Sequence, residues 1–572
     1  MKKSLRITAL LLAVIFISLT LFSCSKVPNQ NDEPSTRDEL YDQESLYARA
    51  LEFGYTGTLE DFITLMGDKI KKDGIEIKSS LIDNQGHLVF ILNDGSTVDA
   101  GLINKNDGTA SESKKEYEIE AYDGTSVSIS FSHTMGEELR SVLNKYIKEF
   151  NKLYPNIRIY HTQVGGYNDV RDQINQQLAS GNSPNIAYCY PDHVALYNLS
   201  GKVVPLDNFI ESKIVVNEAN GEILGLTDEQ IAAFIDGYYA EGAVYDEAGT
   251  MYTLPMSKSA EVLYYNKTFF EENGLTVPTT WAELEEVSAQ IKAIISDPDS
   301  KYYNTRSYPF SYDSESNWFI TMCEQYGSPY TSLNNDEHFV FNNYTNQLFV
   351  KKLRTWYEKE YFTTQELYGA YTSGLFTNID PTKGSCYMCI GSSAGAKNQV
   401  PRAVNGDYPF EVGIAPLPQV DVNNAKAISQ GPSLCIFDSA NKQAVAASWL
   451  FIKFLATNPE FQAEFSIKSG YIPVIEGDVL VEKVPSYGTW LETGIKLGDT
   501  VADEKSKVIA NTIRVALEQS DAYFTPPAFN GSSKARDQVG ELMKYCFTTP
   551  TNDVDALISK MFRDAVAVCV AG

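Results

Sequence analysis

The alternation of strand and helix patterns after residue 125 most constrains the fold of this chain. Apolar residues alternate with serines over 127–131, which is typical of a strand, and recur at helical spacing over 139–153. A second strand follows at 157–159, then a helix at 168–180 and a third strand at 185–190. Consecutive β-α-β units form parallel sheets with right-handed crossovers. The sequence therefore predicts an α/β fold with a ligand crevice beyond the carboxyl ends of its strands.

The loops that follow these predicted strands supply the first candidate ligand-binding residues. His133 and Thr134 follow the first strand, Tyr167 follows the second, and Tyr190 and Asp192 follow the third. Thr134 also has a glutamate three positions later, so we expect it to cap the next helix. If the sheet is parallel, all five residues lie near one crevice.

The amino terminus resembles a bacterial lipoprotein signal peptide over residues 1–23. Three positive charges precede an apolar run over 7–22, and Leu-Phe-Ser before Cys24 resembles a lipobox, in which the cysteine is acylated. We expect Cys24 to carry the lipid that anchors the mature protein to the outside of the bacterial cell membrane. No later stretch approaches the ~18 apolar residues of a membrane span. A plain secreted protein with a chance cysteine is the alternative.

Changes in composition divide the remainder into four parts. Residues 24–43 are polar and predict a tether, and 44–105 predict a small spacer module that begins with helices. That module ends in a hairpin, because apolar strands flank an Asn-Asp-Gly-Ser turn at 93–96. A polar linker is expected over 106–124, and the main domain over 125–572.

Charge and motif content exclude several classes of function. The formal net charge of −27 repels nucleic acids, so we expect no nucleic-acid partner. The five histidines are scattered, and the sequence has no P-loop, no H-E-x-x-H and no G-x-S-x-G. Cys386 and Cys389 have CxxC spacing but lie in a predicted strand that points them to opposite faces, which favours buried thiols. We expect no cofactor, metal or catalytic residue, hence a protein that is not an enzyme.

Six short motifs occur in one order along the main domain. They are TLPMSKSAEVLYYNKTFFEENGL at 253–275, TTWAEL at 279–284, GSCYM at 384–388, QGPS at 430–433, an apolar helix pair at 444–460 and GYIP at 470–473. In this order they resemble the extracellular solute-binding proteins of carbohydrate ABC importers. The resemblance implies a two-lobed periplasmic-binding-protein-like fold (type II) that closes on a carbohydrate-type solute and delivers it to the importer's permease subunits.

The same resemblance implies how the chain is divided between the lobes. The expected ranges are 125–255 with 430–473 for the first lobe and 260–425 with 478–572 for the second. The expected chain crossings between the lobes are 256–260, 427–431 and 471–474. Such proteins work by hinge closure around the ligand.

Within that family, the glycerol-3-phosphate-binding proteins resemble this chain most in motif. The likeness rests on SFSHTMGEEL at 130–139, GY at 166–167, MCIGSSAG at 388–395 and FNG at 529–531. It implies ligand-binding roles for Tyr167, Ser259, Ser392, Gly431, Tyr471 and Arg536. Where those proteins place a glutamate that accepts from glycerol hydroxyls, this chain has Pro191, and the adjacent Asp192 is the possible replacement.

The residues themselves leave two ligand chemistries open. A phosphate would be bound by Ser392 and Ser393 at a helix amino terminus, by Gly431 and Tyr471, and by the Arg536 guanidinium. A neutral sugar would need acceptors and aromatic platforms instead. The candidates for that role are Asp192, Gln430, Trp281, Trp318, Trp490 and Tyr523.

Two other functions stay open from the sequence alone. One is an oligosaccharide-binding surface lipoprotein or adhesin without a transport role. The other is a glycan-active enzyme, for which two of the 74 acidic residues would have to be positioned as a catalytic pair.

Overall fold

The structure, a computed structural model, describes three amino-terminal strands and most of the chain from residue 113 onward. The described parts are Ile77–Ile82, His87–Leu92, Thr97–Leu102 and residues 113–571 apart from 219–220, 334–336 and 497. The three strands pair antiparallel in chain order. The predicted hairpin is therefore present and gains a third strand. The predicted signal peptide, Cys24, the tether and the helices expected at the start of the spacer lie outside the described residues.

The first lobe is built on a five-stranded sheet. Its strands, in spatial order, are Ile157–Gln163, Val127–His133, Ile186–Cys189, Ser433–Ile436 and Leu254–Pro255. The first three are parallel, with Val127 opposite Ile157. Ser433–Ile436 runs antiparallel to both of its neighbours, so Leu254–Pro255 points in the same direction as the first three. The β-α-β-α-β prediction is thus confirmed. A second, two-stranded pair joins Val215–Asn217 to Glu222–Ile223.

Helices cover both faces of this sheet. They are Glu137–Leu153, Tyr167–Ser180, Pro191–Asn198, Asp207–Ile210, Asp228–Ala232, Asp236–Ala240, the 3₁₀ turn Glu241–Ala243, Lys442–Thr457 and Pro459–Ser469. The first of them buries Val142, Leu143, Tyr146 and Phe150, which are three or four positions apart and so share one helical face.

The prediction that Thr134 caps the first of these helices is wrong. The helix begins at Glu137, and Gly136 is its N-cap residue without any side-chain cap. The cause is His133, the residue before Thr134: the backbone N–H of Met135 donates to Nδ1 of His133 at 3.1 Å. That hydrogen bond holds residues 134–136 outside the helix.

The second lobe is built on a larger mixed sheet. Its strands, in spatial order, are Phe362–Thr364, Tyr308–Tyr312, Cys386–Ser392, Ser259–Asn266, Ala427–Gln430 and Tyr523–Phe524, while Val412–Pro416 also pairs with Ser259–Asn266. The first three are parallel, so their carboxyl ends lie at one edge of the sheet. The long strand Ser259–Asn266 runs antiparallel to its neighbours.

The helices of the second lobe surround this sheet. They are Lys267–Asn273, Trp281–Ser296, Glu315–Gln325, Tyr344–Glu358, Gln365–Tyr368, Ser373–Phe376, Gly477–Lys483, Pro485–Thr493, Glu504–Glu518, Ser532–Thr548 and Val554–Ala571, with 3₁₀ turns at Ser393–Asn398, Val422–Asn424 and Ser520–Ala522. Thr280 and Glu283 form the predicted capping box at the start of Trp281–Ser296. In the part of the chain that the structure describes, no helix is both long and apolar enough to cross a bilayer.

Two chain segments connect the two sheets, and a third segment pairs with the first of them. Leu254–Pro255 belongs to the first sheet and Ser259–Asn266 to the second, so the chain crosses between them. It returns between Ala427–Gln430 and Ser433–Ile436. The third segment, 471–474, pairs with the first through two backbone hydrogen bonds. The N–H of Lys258 donates to the carbonyl of Ile472 at 3.0 Å, and the N–H of Ile472 donates to the carbonyl of Lys258 at 2.6 Å. The three segments meet at Lys258, and we refer to this junction as the hinge.

Part of the segment predicted as a linker is held against the first lobe. The Tyr117 hydroxyl donates to Asp438 at 2.5 Å, and the Lys114 ammonium pairs with Asp207 at 2.7 Å. These contacts give residues 113–123 a defined path to the main domain.

Candidate ligand-binding site

A cavity of about 270 Å³ lies between the two lobes, close to the hinge. The first lobe contributes Asn168, Arg171, Tyr190, Pro191, Asp192, His193 and Glu241. The second lobe contributes Tyr330, Ser429, Gln430, Thr525, Pro526, Pro527, Ala528, Ser532, Ser533, Arg536 and Asp537. Four residues proposed from the sequence line this cavity, namely Tyr190, Asp192, Gln430 and Arg536. Its size is near the lower end of the ~300–1,000 Å³ range of small-molecule sites.

A stack of tyrosines forms the first lobe's wall of the cavity. The Tyr190 ring stacks on that of Tyr167 with centroids 4.2 Å apart, and Tyr167 stacks on Tyr188 at 5.7 Å. Behind them the Tyr167 and Tyr471 hydroxyls lie 3.3 Å apart. Burial raises the pKa of Tyr190, Tyr167 and Tyr471 above the usual tyrosine value. The tyrosine stack is therefore uncharged, and Tyr190 is the member of the stack that lines the cavity.

Charged side chains of both signs face the cavity. Arg171 and Arg536 supply two guanidinium groups, whereas Asp192, Glu241 and Asp537 supply three carboxyl groups. Burial raises the pKa of Asp537, and the nearby Arg536 guanidinium opposes that rise. The positive charge of the cavity is thus balanced by acids of the same cavity.

A hydrogen bond between Ser533 and Asp192 joins the two lobes across the cavity. The Ser533 hydroxyl, at the start of Ser532–Thr548, donates to the Asp192 carboxylate at the start of Pro191–Asn198. Beside it His193 is buried, and burial lowers the pKa of its imidazole. Asp192 therefore serves as a contact between the lobes in this conformation.

A buried polar network supports the Arg536 side of the cavity. Asn317 accepts at Oδ1 from Arg536 Nη1 at 2.5 Å and from Gln430 Nε2 at 3.1 Å, and it donates from Nδ2 to Glu261 Oε1 at 3.0 Å. The Tyr312 hydroxyl donates to the other oxygen of Glu261. Burial raises the pKa of Glu261 to about 7, although both hydrogen bonds and the Arg536 charge oppose this rise.

A buried ion pair connects the cavity to the hinge. The Lys258 ammonium, fully buried, contacts Glu241 and donates to Ser433 Oγ at 2.9 Å and to the Gly431 carbonyl at 3.1 Å. Burial lowers the pKa of Lys258, and Glu241 opposes that change. The second carboxylate oxygen of Glu241 accepts from Thr525 of the other lobe at 3.2 Å. Glu241 thus touches the hinge, the cavity and both lobes.

Ser259 and Gly431 act at the hinge and do not line this cavity. Ser259 is buried and lies opposite Gln430 in the second sheet. Gly431 has φ +96°, and a Cβ there would lie 2.8 Å from the Cα of Lys258 and from the carbonyl oxygen of Ser257. A glycine is needed because the two crossing segments approach closely, and not because a ligand does.

Ser392 and Ser393, which the sequence suggests as phosphate ligands, form hydrogen bonds with backbone N–H groups instead. The Ser392 hydroxyl accepts from the N–H of Ala394 at 3.3 Å, and the buried Ser393 hydroxyl accepts from the N–H of Ala260 at 3.2 Å. Ser393 begins a 3₁₀ helix of six residues, Ser393–Asn398, and Ser392 is its N-cap. Of the five donors expected to converge on phosphate, only Arg536 lines this cavity; Tyr471 lies one layer behind it.

The loop after the first strand also lies away from the cavity lining. His133 is buried, with its Nε2 2.9 Å from Nδ1 of His161. Burial, the neighbouring His161 and Arg140 lower the pKa of His133 to about 4. Thr134, next to it, is half-buried and does not line the cavity either.

The prediction that Trp281 and Trp318 line the cleft is wrong. Trp318 is fully buried in Glu315–Gln325 and stacks on Tyr312 at 4.8 Å and on Trp281 at 6.0 Å. Trp281 is buried as well, and its indole N–H donates to Gln325 at 2.7 Å. The sequence around Trp318 is polar because this helix also contains Glu315, Asn317 and Gln325, which are buried and hydrogen-bonded.

The two remaining aromatic candidates for a sugar platform are also core residues. Trp490 is buried, and its indole N–H donates to Ser506 at 3.1 Å. Tyr523 is buried and stacks on Tyr238 at 4.9 Å. The seven cysteines among the described residues are buried free thiols, as expected for Cys386 and Cys389.

Sequence reasoning missed Glu241, Glu261 and Asn317. Glu241 and Asn317 belong to none of the six motifs, Glu261 lies unremarked within the motif at 253–275, and each depends on partners that are remote in sequence. The one available signal was an acidic residue within the apolar strand Ser259–Asn266, where Glu261 stands between Ala260 and Val262.

The sequence of this chain matches a known protein family and individual relatives. The family model for "Bacterial extracellular solute-binding protein" matches residues 145–489. The sn-glycerol-3-phosphate-binding periplasmic protein UgpB of Escherichia coli strain K12 is 26% identical over 358 residues, covering 60% of this chain and 74% of that protein.

Solved structures share the two-lobed fold at low sequence identity. UgpB from Mycobacterium tuberculosis in complex with glycerophosphocholine superposes with a TM-score of 0.57 at 16% identity, covering 78% of this chain and 99% of that one. The sugar-binding protein MalE from Xanthomonas citri gives 0.59 at 17% identity, covering 78% and 98%. Because the family model matches more than half of the sequence, this chain belongs to the bacterial extracellular solute-binding protein family.

Proposed function

We propose that this protein is the substrate-binding lipoprotein of an ABC importer. It captures a carbohydrate-type solute between its lobes by hinge closure and delivers the solute to the permease. The observation that carries this proposal is the Ser533–Asp192 hydrogen bond across the cavity. Because residues of both lobes line the cavity and bond to each other there, closing the hinge and enclosing a solute are one event.

The balance of charges in the cavity supports a neutral, hydroxyl-rich solute. The carboxyl groups of Asp192 and Asp537 oppose the guanidinium groups of Arg171 and Arg536, and Glu241 is already paired with Lys258, so a phosphate dianion would meet little net attraction. Carboxylate, amide and hydroxyl groups bind sugar hydroxyls, and the Tyr190 ring provides a surface for the C–H face of a sugar.

A phosphate-bearing solute is the second candidate. It is favoured by the Arg536 guanidinium in the cavity and by the sequence similarity to the glycerol-3-phosphate-binding UgpB proteins. A phosphodiester, with one negative charge, fits the charge balance better than a phosphomonoester does.

Titration calorimetry separates the two candidates. The wild type is titrated with maltose, glycerol 3-phosphate and glycerophosphocholine, and Arg536→Ala is compared with it. A charge-assisted hydrogen bond contributes roughly 1.5–3 kcal/mol, so Arg536→Ala weakens binding of a phosphate-bearing solute at least ~10-fold. The loss is smaller for maltose, since a hydroxyl group carries no negative charge to attract the guanidinium ion.

The control variant is Arg158→Ala, which removes an exposed arginine of the first lobe. Small-angle scattering should show compaction when a binding solute is added. If none of the three solutes binds, or if saturating solute leaves the scattering unchanged, the proposed ligand class or the closure is refuted.

We propose further that Cys24 carries the lipid anchor and that residues 24–112 separate it from the lobes. Cys24→Ala should abolish incorporation of labelled fatty acid and release the protein from washed membranes. A variant that stays wholly in the membrane fraction contradicts the anchoring proposal.

A further inference from the structure

The side-chain amide of Asn317 is bound at both ends by different parts of the second lobe. Its oxygen accepts from Arg536 and Gln430, and its nitrogen donates to Glu261. Asn317 itself is 4% exposed, so no bulk water competes for these positions. The amide lies directly beneath two residues that line the cavity.

Glu261 decides which end of this amide faces the cavity. Its carboxyl group is 2% exposed, and the Tyr312 hydroxyl already donates to one of its oxygens. The other oxygen can accept, so it requires the NH₂ end of Asn317. If the amide were reversed, its NH₂ group would face the donors of Arg536 and Gln430 and its oxygen would face a carboxylate. Only the observed orientation gives Arg536, Gln430 and Glu261 each a hydrogen bond with the amide of Asn317.

The fixed oxygen of Asn317 then orients the amide of Gln430. Gln430 uses Nε2 as the donor to Asn317, and within the described part of the chain its carbonyl Oε1 has no protein donor. Arg536 uses Nη1 in the same way and keeps its other N–H groups available. Because the two hydrogen bonds end on one oxygen atom, at 3.1 and 2.5 Å, the amide and the guanidinium lie side by side.

We propose that Asn317, oriented by Glu261, is a positioning residue that sets Gln430 and Arg536 as an adjacent acceptor and donor for two neighbouring oxygen atoms of one solute. A hydroxyl that donates to Gln430 and a neighbouring oxygen that accepts from Arg536 satisfy the pair. Vicinal hydroxyl groups have this pattern, and so does a hydroxyl beside an esterified oxygen. The inference rests on the proposed function, because it assigns a solute to the same cavity.

Paired substitutions at Glu261 test this arrangement. Glu261→Gln keeps a carbonyl acceptor for Asn317 and turns its NH₂ group towards the Tyr312 oxygen, so the network persists. Glu261→Met has a similar length but no acceptor, so Asn317 loses its orientation. Asn317→Leu, which removes the shared oxygen, is the second disrupting variant should Glu261→Met fold poorly.

Crystal structures of the unliganded wild type and variants provide a readout that needs no ligand. We expect the contacts of Asn317 with Arg536 and Gln430 in the wild type and in Glu261→Gln. In Glu261→Met we expect at least one of the two side chains to leave hydrogen-bond distance of residue 317. If both contacts persist in Glu261→Met, or if both are lost in Glu261→Gln, the inference is overturned.

Calorimetry with maltose and glycerophosphocholine gives the functional readout. Two oriented hydrogen bonds are at stake, so Glu261→Met and Asn317→Leu should bind either solute at least ~10-fold more weakly than the wild type. Glu261→Gln should stay within about threefold of it. Equal losses in the Gln and Met variants would mean a general packing effect and would overturn the positioning role. If the wild type binds neither solute, the proposed ligand class fails, while the crystal structures still decide the inference.

Discussion

The buried carboxyl group of Glu261 should make the stability of the second lobe depend on pH. Burial raises its pKa from 4.5 to about 7, against the opposing hydrogen bonds of Tyr312 and Asn317. Below pH 4.5 the group is protonated in both the folded and the unfolded chain. Between pH 4.5 and 7 the unfolded chain loses this proton while the folded chain retains it, so the free energy of unfolding falls as pH rises. The whole loss is about 3 kcal/mol, and it is complete above pH 7.

Glu261→Gln removes this dependence, because an amide does not titrate. We expect the difference in free energy of unfolding between variant and wild type to move by about 3 kcal/mol in favour of the variant between pH 4.5 and 8. Urea unfolding followed by tryptophan fluorescence measures it, since Trp318 stacks on Tyr312, a direct partner of Glu261. The nearby charges that shift the pKa, Arg536 and Asp313, are left in place.

The control for this experiment is Glu286→Gln, which removes an exposed glutamate from the helix Trp281–Ser296. It should follow the pH dependence of the wild type. A difference between Glu261→Gln and wild type that stays constant from pH 4.5 to 8 would refute the reasoning.

Three further substitutions test the hinge and the core by chemical denaturation. Lys258→Met leaves the Glu241 carboxylate buried without its charge partner and should cost roughly 3–5 kcal/mol, most of which the double variant with Glu241→Gln should restore; a double variant as unstable as the single one would contradict this. Gly431→Ala places a Cβ at φ +96° and 2.8 Å from the Cα of Lys258, so it should cost at least ~1–3 kcal/mol, and unchanged stability would disprove the close approach. Trp318→Ala should cost roughly 3–5 kcal/mol, whereas a variant of normal stability but impaired solute binding would return Trp318 to the cleft.

The fold could be predicted because its signals are local. The alternating serines of Val127–His133 and the apolar face of Glu137–Leu153 report strand and helix from neighbouring residues alone. The capping box at Thr280 is equally local, and it is present. The crossings were predicted from family motifs, and the structure has the hinge at Lys258.

The candidate site could be predicted only in part. Tyr190 and Asp192 line the cavity because they follow a parallel strand, and Gln430 and Arg536 also line it. A serine, by contrast, looks the same in sequence whether its hydroxyl meets a ligand or a backbone N–H. The Ser393 hydroxyl accepts from the backbone of Ala260, which is 133 positions away and visible to no local pattern, whereas the Ser392 hydroxyl accepts from the nearby Ala394.

The sequence by itself determined the alternation of elements, the parallel strands of the first sheet and the start of the helix Trp281–Ser296, because periodicity and capping act over a few residues. Only the tertiary structure decided which polar residues are buried and what they do there. Asn317 bonds to Arg536, 219 positions away, and Glu241 pairs with Lys258 where the crossing segments meet. A polar side chain can be buried only if distant elements supply its partners, and no local pattern carries that information. The polar residues of the cavity come from both lobes, so the cavity can be recognised only in the tertiary structure.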